Sequence, residues 1–187
     1  ILGLGSGVKN LNEYWHDVRF GKPVKHIEDV INICRMVIKE SHLNPIKYEG
    51  SEKSISLVGF DRPFTPKEAS IPIYMGSVGP FMTRKCGEIA DGWISHELCS
   101  PQYLKSNIIP KLQEGASDKK IPKIVVSGLT VVDEDEKKAK RIAAGTVAFY
   151  ASVKTYDEFF STHGFGQEAS RIRELFKNND IKGMIEN

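Results

Sequence analysis

The chain has 187 residues, of which 40% are hydrophobic and 27% are charged, a composition typical of a soluble globular domain with a real core. The formal net charge of +2 gives no electrostatic reason to expect a nucleic-acid partner or an anionic membrane surface. No apolar run approaches the roughly 20 residues of a membrane-spanning helix, and no signal peptide is visible, so we expect no membrane partner.

The cysteines and histidines show no metal-binding pattern. Cys34, Cys86 and Cys99 lie far apart and form neither a CxxC pair nor a zinc motif. The five histidines lack a spacing such as HExxH. We therefore expect no metal site and a reducing, cytoplasmic compartment.

The first predicted elements are a strand, a helix and an insertion. Residues 1–4 predict a buried strand that ends at Gly5-Ser6-Gly7, and apolar residues at helical spacing predict a helix from Pro23 to Glu40. Alternating polarity around Gly50 predicts a small hairpin, and the proline-rich "DRPFTPKEAS" predicts an irregular loop. Together these two features form an insertion over residues 43–70.

Strands and helices then alternate to the end of the chain. We predict a strand at 71–75, a helix at 80–89 with Phe81 on its inner face, and a strand at 92–95. A helix then begins at Ser100, is bent or divided by Pro110, and is ended by Gly115. The last predicted elements are a strand at 124–132, a long helix capped by Asp133, and a helical tail at 155–187.

Short apolar strands separated by helices indicate an α/β fold with a parallel sheet covered by helices. Either an open doubly wound sheet or part of a (β/α)₈ barrel fits this order. A whole barrel needs about 250 residues, so four repeats correspond to about half of one. Because the chain starts without Met in the apolar run Ile1–Leu4, we expect either a piece of a longer protein or a chain that dimerises to cover its sheet edges.

The loop "GSVGP" at residues 76–80 is the strongest candidate site. Ligands of parallel α/β folds bind at the carboxyl ends of the strands. Gly76 and Gly79 let backbone amides approach an anion, and the following helix points its positive end at the same place. Ser77 adds a hydroxyl donor, and Thr83 lies one turn further on. These residues fit a phosphate cradle and, equally well, a tight turn that merely requires glycine.

Two further groups follow strands of the same predicted sheet. Gly5-Ser6-Gly7 would let a flat ligand lie against the backbone, although a loop that requires positive φ angles is the simpler explanation. His96 follows the strand at 92–95 and is a candidate proton donor or substrate contact. A polar residue at the rim of the sheet is the simpler explanation for His96.

Several segments together resemble the bacterial-luciferase-like flavin- or deazaflavin-dependent oxidoreductases. They are "LGLGSG", a loop with "EYW", "IEDVINICRMVI", "IPIYMGSVGPFMTRKCGEIADGWI" and "SPQYLKSNIIPKLQEGA". The resemblance extends to about Val132, continues more weakly through the helical tail, and is most specific from Ile71 to Ile94. It is strongest to the branch that contains methylenetetrahydromethanopterin reductase and similar coenzyme F-420-dependent enzymes.

The resemblance implies a (β/α)₈ TIM barrel, of which this chain carries about strands 4 to 7 with an inserted hairpin, in a single partial domain over residues 1–187. It implies that the loop after the fifth strand holds the cofactor phosphate and that the loop after the fourth lies near the cofactor ring. The implied cofactor-binding residues are Gly5, Ser6, Gly7, Gly76, Ser77, Val78, Gly79 and Pro80, with Thr83 in addition. His96 is the implied catalytic candidate, on the substrate side.

The implied cofactor is the deazaflavin coenzyme F-420, with FMN as the alternative, and the implied reaction is hydride transfer with a small organic substrate. With FMN and oxygen the reaction becomes a monooxygenation. The expected partner is a second copy of the chain. Two other functions stay open: a non-catalytic flavin-binding or interaction protein on a reduced barrel, and an open-sheet phosphate-binding enzyme.

Overall fold

A computed structural model of the chain describes residues 1–40, 42, 45–59, 62–65 and 70–186. The strands are β1 (Leu2–Gly5), β2 (Ile46–Glu49), β3 (Ser54–Leu57), β4 (Ile73–Gly76), β5 (Gly92–Ile94) and β6 (Lys123–Val125). The helices are α1 (Pro23–Glu40), α2 (Pro80–Ile89), α3 (Pro101–Tyr103), α4 (Ile109–Ala116), α5 (Glu136–Ala151), α6 (Asp157–Thr162), α7 (Gly166–Lys177) and α8 (Ile181–Glu186). In the described residues no helix is long and apolar enough to cross a membrane.

The main sheet confirms the predicted parallel arrangement. Its four strands lie in the order β1-β4-β5-β6, and every neighbouring pair is parallel. Each strand therefore pairs with the next strand of the sheet along the chain, as in a (β/α)₈ barrel. β2 and β3 form a separate antiparallel pair, which confirms the predicted hairpin. Part of the predicted irregular loop at 61–70, residues 61 and 66–69, lies outside the described residues.

The two faces of the main sheet differ in burial, because successive side chains of a strand point to opposite faces. Met75 and Trp93 are paired across β4 and β5 and are almost completely buried. On the other face, Gly3, Gly5 and Lys123 of the outer strands are exposed, whereas Tyr74 and Gly92 of the central strands are buried. The face of Met75 and Trp93 is thus the core side of the sheet, and the other face lies open along its outer strands in this chain.

Contacts divide the chain into two compact units. One comprises residues 1–94 and 108–125, which include the whole main sheet, and the other comprises residues 95–107 and 126–187. The core of the second unit is built from alanines and larger apolar residues of α5 to α8, namely Ala148, Ala151, Phe160, Ala169, Ile172 and Met184. A single domain over residues 1–187 stays a prediction.

Pro110 divides its helix, as predicted. Three helical segments follow one another there: α3, a π-helical segment over Leu104–Ile108, and α4. Proline has no N–H to donate to the carbonyl four residues earlier, so the regular α-helical ladder cannot continue through it. The N-cap is also confirmed, because the Ser100 hydroxyl accepts a hydrogen bond from the Tyr103 amide.

Gly115 does not end this helix, contrary to the prediction. α4 continues to Ala116, and Gly115 packs directly against α2. A Cβ on Gly115 would overlap the carbonyl oxygen of Arg84, and one on Gly87 would overlap the carbonyl oxygen of Leu112. Both glycines therefore allow the backbones of the two helices to approach each other closely.

The predicted strand at 124–132 is too long. β6 ends at Val125 and pairs only with β5, so it is an edge strand among the described residues. Residues 126–132 have no strand partner; the Ser127 amide instead donates to the Ser95 hydroxyl, and the Leu129 amide donates to the Glu97 carbonyl. Val132, 90% exposed, shows that an apolar sequence alone does not make a strand without a neighbour.

Two helix details also differ from the predictions. The cap of α5 is Asp135, whose carboxylate accepts from the Lys137 and Lys138 amides, whereas Asp133 accepts from the Asp135 amide. Phe81 is 78% exposed, because the inner face of α2 is formed by residues at i, i+3 and i+4 spacing, namely Thr83, Cys86 and Gly87.

Asp29 of α1 holds the hairpin in place, a role that the sequence analysis did not predict. Its carboxylate is buried and accepts hydrogen bonds from the Glu52 amide at 2.7 Å, the Lys53 amide at 3.0 Å and the Tyr48 hydroxyl at 3.0 Å. Burial opposes the charged form, but these three donors together hold the pKa of Asp29 below its ordinary value. Asp29 thus ties the β2–β3 turn to the helix as a carboxylate.

Asp29→Asn is expected to reduce the free energy of unfolding by about 2 kcal/mol at neutral pH, because one buried acceptor oxygen becomes a donor facing amide N–H groups. Because the pKa of Asp29 is lower in the folded state, its carboxylate stabilises the fold at pH values above the unfolded-state pKa of about 4. This stabilisation is lost as the pH falls through the folded-state pKa of Asp29. Urea unfolding at pH 7 and at pH 3 measures both effects. The difference between wild type and variant should shrink at pH 3, and exposed Asp118→Asn is the control.

Candidate functional site

The loop at residues 76–80 connects the end of β4 to the start of α2. Gly79 is the N-cap of α2 in an extended conformation (φ −75°, ψ 155°), and no side chain caps this helix end. A Cβ added to Gly79 would meet no atom within 4 Å. The positive end of α2 therefore faces open space beside the backbone, a geometry suited to an anion.

Behind the loop, the polar groups of two buried side chains hold Ser77 in place. The Trp93 indole N–H donates to the Ser77 carbonyl oxygen at 3.1 Å and lies 3.0 Å from its hydroxyl oxygen. The Ser77 and Thr83 hydroxyls are 3.1 Å apart, and either can be the donor. Ser77 is 6% and Thr83 0% exposed, so this network joins β5, the loop and α2 inside the core.

The network decides what the two hydroxyls can offer a ligand. Thr83 is enclosed, and its first role here is to hold Ser77. When Thr83 donates to Ser77, the oxygen of Ser77 accepts from both Thr83 and Trp93, and the Ser77 hydroxyl hydrogen is free for a ligand. Direct contact of Thr83 with a ligand stays a prediction.

Thr83→Val is expected to destabilise the chain by about 1–2 kcal/mol, because the shape is kept while the partner of the buried Ser77 hydroxyl is removed. Thr83→Ser keeps the hydroxyl and is the matched control, although it removes a buried methyl group. Chemical denaturation of both variants measures the effect. A Val variant as stable as wild type would show that the hydroxyl pair contributes nothing.

The loop after β1 lies next to the loop after β4. Gly5 pairs with Gly76 across the sheet, and a Cβ on Gly5 would lie 3.9 Å from the Gly76 carbonyl oxygen. Gly7 has a positive φ of +64°, as expected for a glycine-dependent turn. The Asn12 side-chain amide donates to the Ser6 and Val8 carbonyl oxygens and fixes this turn.

A cavity of about 150 Å³ opens beside this second loop. Gly5 and Ser6 line it together with Arg19, Phe20 and His26. The Arg19 guanidinium places a positive charge next to the loop, and the Phe20 ring offers an apolar surface. The sequence did not indicate Arg19, because only "EYW" in the segment between the first strand and α1 contributed to the resemblance.

His96 belongs to the second unit, at a chain position two residues beyond β5. Its ring lies edge-on to Tyr150 with centroids 4.4 Å apart and is tilted against Tyr156 at 4.5 Å. The Tyr150 hydroxyl donates to the Glu97 carboxylate at 2.6 Å. The structure therefore places His96 against Tyr150 of α5 and Tyr156, two aromatic contacts that the sequence alone did not indicate.

The described part of the chain holds no group of three histidine, cysteine or acidic side chains arranged for a metal ion. Its three cysteines are free thiols. Cys86 is fully buried against the carbonyl oxygens of Met75 and Gly92, and burial raises its pKa to about 12. Cys86 is thus a packing residue without thiolate chemistry at neutral pH.

Comparison with known proteins gives a family for this architecture. The family model for luciferase-like monooxygenases matches residues 1–187. A 5,10-methylenetetrahydromethanopterin reductase from Archaeoglobus fulgidus is 27% identical over 188 residues, which cover 98% of this chain and 53% of that protein. An uncharacterized protein from Mycobacterium tuberculosis is 24% identical over 195 residues, covering 98% of this chain and 57% of that protein.

A solved structure gives the same result for the fold. The coenzyme F-420-dependent tetrahydromethanopterin reductase from Methanopyrus kandleri matches with a TM-score of 0.78 and 25% identity, covering 100% of this chain and 57% of that chain. The described sheet is thus a four-stranded part of a luciferase-like TIM barrel. The chain spans about half the length of the curated relatives it matches.

Proposed function

Because this chain belongs to the luciferase-like monooxygenase family, we propose that it serves an oxidoreductase that uses coenzyme F-420 for hydride transfer with a small organic substrate. The observation that carries the proposal is the open, uncapped N-terminus of α2 beside Gly79. Relatives named as methylenetetrahydromethanopterin reductases support the choice of the deazaflavin. FMN is the alternative cofactor.

The residues of the first loop fit a phosphate group. The backbone of Gly76, Ser77, Val78, Gly79 and Pro80 would surround it, and the open space beside Gly79 is where an added Cβ would intrude. The Ser77 hydroxyl, oriented by Trp93 and Thr83, supplies a donor from the side. The dipole of α2 adds an electrostatic attraction of about 0.3–1 kcal/mol.

The open face of the sheet suits a flat ring. Gly5 and Gly76 are adjacent on β1 and β4 and carry no side chains, so a planar group can reach the backbone there. Ser6 and Gly7 continue this surface beyond the strand. A deazaflavin bound at these positions would supply a ring carbon that accepts or donates hydride. The protein residues would orient the ring, bind its phosphate and exclude water.

Titration of the protein with coenzyme F-420 and, separately, with FMN tests the proposal. We expect F-420 to bind with a change in absorbance and fluorescence, and FMN to bind more weakly. Oxidation of reduced coenzyme F-420 by methylenetetrahydromethanopterin, the compound that the relatives' names say is reduced, would extend the proposal to catalysis. Binding without turnover of any organic substrate would favour a non-catalytic flavin-binding protein, and binding of neither cofactor would overturn the proposal.

We also propose that the chain functions as a homodimer. β1 and β6 are the edge strands of the described sheet, and Val125 on the open face is 43% exposed. Such edges favour association with another chain. Light scattering on the purified protein should give twice the monomer mass, and a monodisperse monomer would contradict the proposal.

A further inference from the structure

The cavity beside the loop after β1 is lined by two side chains that can bind an anion. Arg19 and His26 both line this space of about 150 Å³, and its whole described lining belongs to the first unit. The Arg19 guanidinium is always charged and presents its N–H donors in one plane. The His26 ring can donate from one ring nitrogen when it is neutral and from both when it is charged.

Neither side chain has a hydrogen-bond partner in the described part of the chain. Arg19 is exposed and forms no ion pair with any described residue. The His26 side chain is half-buried, and neither of its ring nitrogens is among the described buried atoms that lack a partner, so both nitrogens reach solvent. Two donors therefore remain available to a ligand at the same cavity.

No carboxylate belongs to the described lining of this cavity. Two nearby carboxylates have other partners. Glu13 accepts from the Phe20 amide at 3.5 Å and pairs with Lys9 at 3.8 Å. Asp29 accepts three hydrogen bonds from the hairpin, and His26 adds an electrostatic attraction that is weaker than these bonds. The positive charge of the lining is therefore left for a ligand to neutralise.

The size and the walls of the cavity limit what it can hold. Sites for whole small molecules usually measure about 300–1,000 Å³, so this cavity takes one end group of a ligand. Leu4, Phe20 and Ile27 give it an apolar wall, beside which the attraction between Arg19 and an anion is screened less than on an open surface. α1 begins at Pro23 in the same lining, and the positive end of its dipole adds to this attraction.

We propose that Arg19 and His26 bind the anionic end group of a small organic ligand, a carboxylate or a phosphate monoester. A guanidinium matches both groups with two parallel N–H···O hydrogen bonds. Gly5 and Ser6, which also line the cavity, belong to the loop that is proposed to lie near the cofactor ring. On this point the inference rests on the proposed function: the substrate of the oxidoreductase is an organic acid or a phosphate ester, and its charged end is held here.

NMR of the full chain, titrated at constant ionic strength with sodium phosphate or sodium acetate, tests the site without any cofactor. We expect the ring signals of His26 and the Nε–H signal of Arg19 to shift to saturation, and sodium chloride to leave them unchanged. The anion with the lower Kd distinguishes a phosphate ester from a carboxylate. Because phosphate is also expected at Gly79, only the signals of Arg19 and His26 report on this cavity. Saturation by neither anion would overturn the proposal.

Substitutions separate this site from a general effect of charge. Arg19→Gln should weaken binding of the preferred anion about tenfold or more, read at His26. His26→Leu should weaken it about fivefold, read at Arg19, whereas His26→Gln keeps an N–H donor and should stay within about twofold. Arg171→Gln, the matched control, removes an exposed arginine of the second unit and should change nothing. Equal weakening by Arg19→Gln and Arg171→Gln would contradict a specific site.

The anion site and the proposed function fail in different ways. If F-420 does not bind while an anion saturates the His26 signals, the proposed function fails and the anion site stands without its assignment to the substrate. We expect the protein with bound F-420 to bind the anion with an unchanged Kd. If F-420 displaces the anion from His26, the cavity belongs to the cofactor and the assignment to the substrate is wrong. If F-420 binds but neither anion does, the function stands and the anion site is wrong.

Discussion

Replacing Gly115 with alanine is expected to lower the free energy of unfolding by about 3 kcal/mol, one of the largest effects that a single methyl group can have in this chain. The added Cβ would overlap the Arg84 carbonyl oxygen and would lie 3.0 Å from the Glu88 nitrogen. These are backbone atoms of α2, which cannot rotate away as a side chain could. The helices must separate, and the fully buried Leu112 between them loses contacts.

Alanine is intrinsically the better helix former by about 1 kcal/mol, which opposes this loss without cancelling it. Gly145→Ala is therefore the matched control, because Gly145 lies inside α5 and an added Cβ meets nothing within 4 Å. That variant should be slightly more stable than wild type. Thermal and urea unfolding of both variants gives the comparison, and a Gly115→Ala protein of wild-type stability would show that α2 and α4 are not so closely packed.

Replacing Gly79 with leucine is expected to weaken binding of coenzyme F-420 by about 100-fold or more, equivalent to about 3 kcal/mol. The side chain would occupy the open space at the positive end of α2, where the phosphate is proposed to bind. The fold should tolerate the change, because Gly79 has an ordinary extended conformation and no neighbour within 4 Å of the new Cβ.

Fluorescence titration with F-420, together with an unfolding curve, separates loss of binding from loss of folding. Gly128→Leu provides the control, since Gly128 also has open space beside it but lies in the second unit. We expect that variant to bind F-420 like wild type. Unchanged binding by Gly79→Leu would exclude the loop at 76–80 as the phosphate site.

The sequence predicted the strand–helix order well where local signals agree. Pro23 starts α1, Ser100 caps the helix after β5, and Pro110 divides it, because each effect depends on one residue and its own backbone. The alternating pattern around Gly50 likewise specified the hairpin. The same local rules predicted a glycine-rich turn followed by a helix N-terminus at residues 76–80.

Tertiary contacts decided what no local rule could. The function of Gly115 depends on α2 lying against it, and the end of β6 at Val125 depends on a neighbouring strand being absent beyond it in the described sheet. Asp29 reads as one polar residue in an amphipathic helix, yet it holds the turn of a hairpin 23 residues further along the chain. These effects come from residues distant in sequence, so their energies cannot be read from spacing.

The candidate site shows the same division. By itself the sequence determined that glycines, a serine and the start of a helix follow β4. Its resemblance to a family predicted that these residues bind a phosphate. Only the tertiary structure decided that Trp93 and Thr83 orient Ser77 and that Tyr150 and Tyr156 pack against His96. The physical reason is that hydrogen bonds of buried side chains depend on directions and distances, which exist only once the strands and helices are packed.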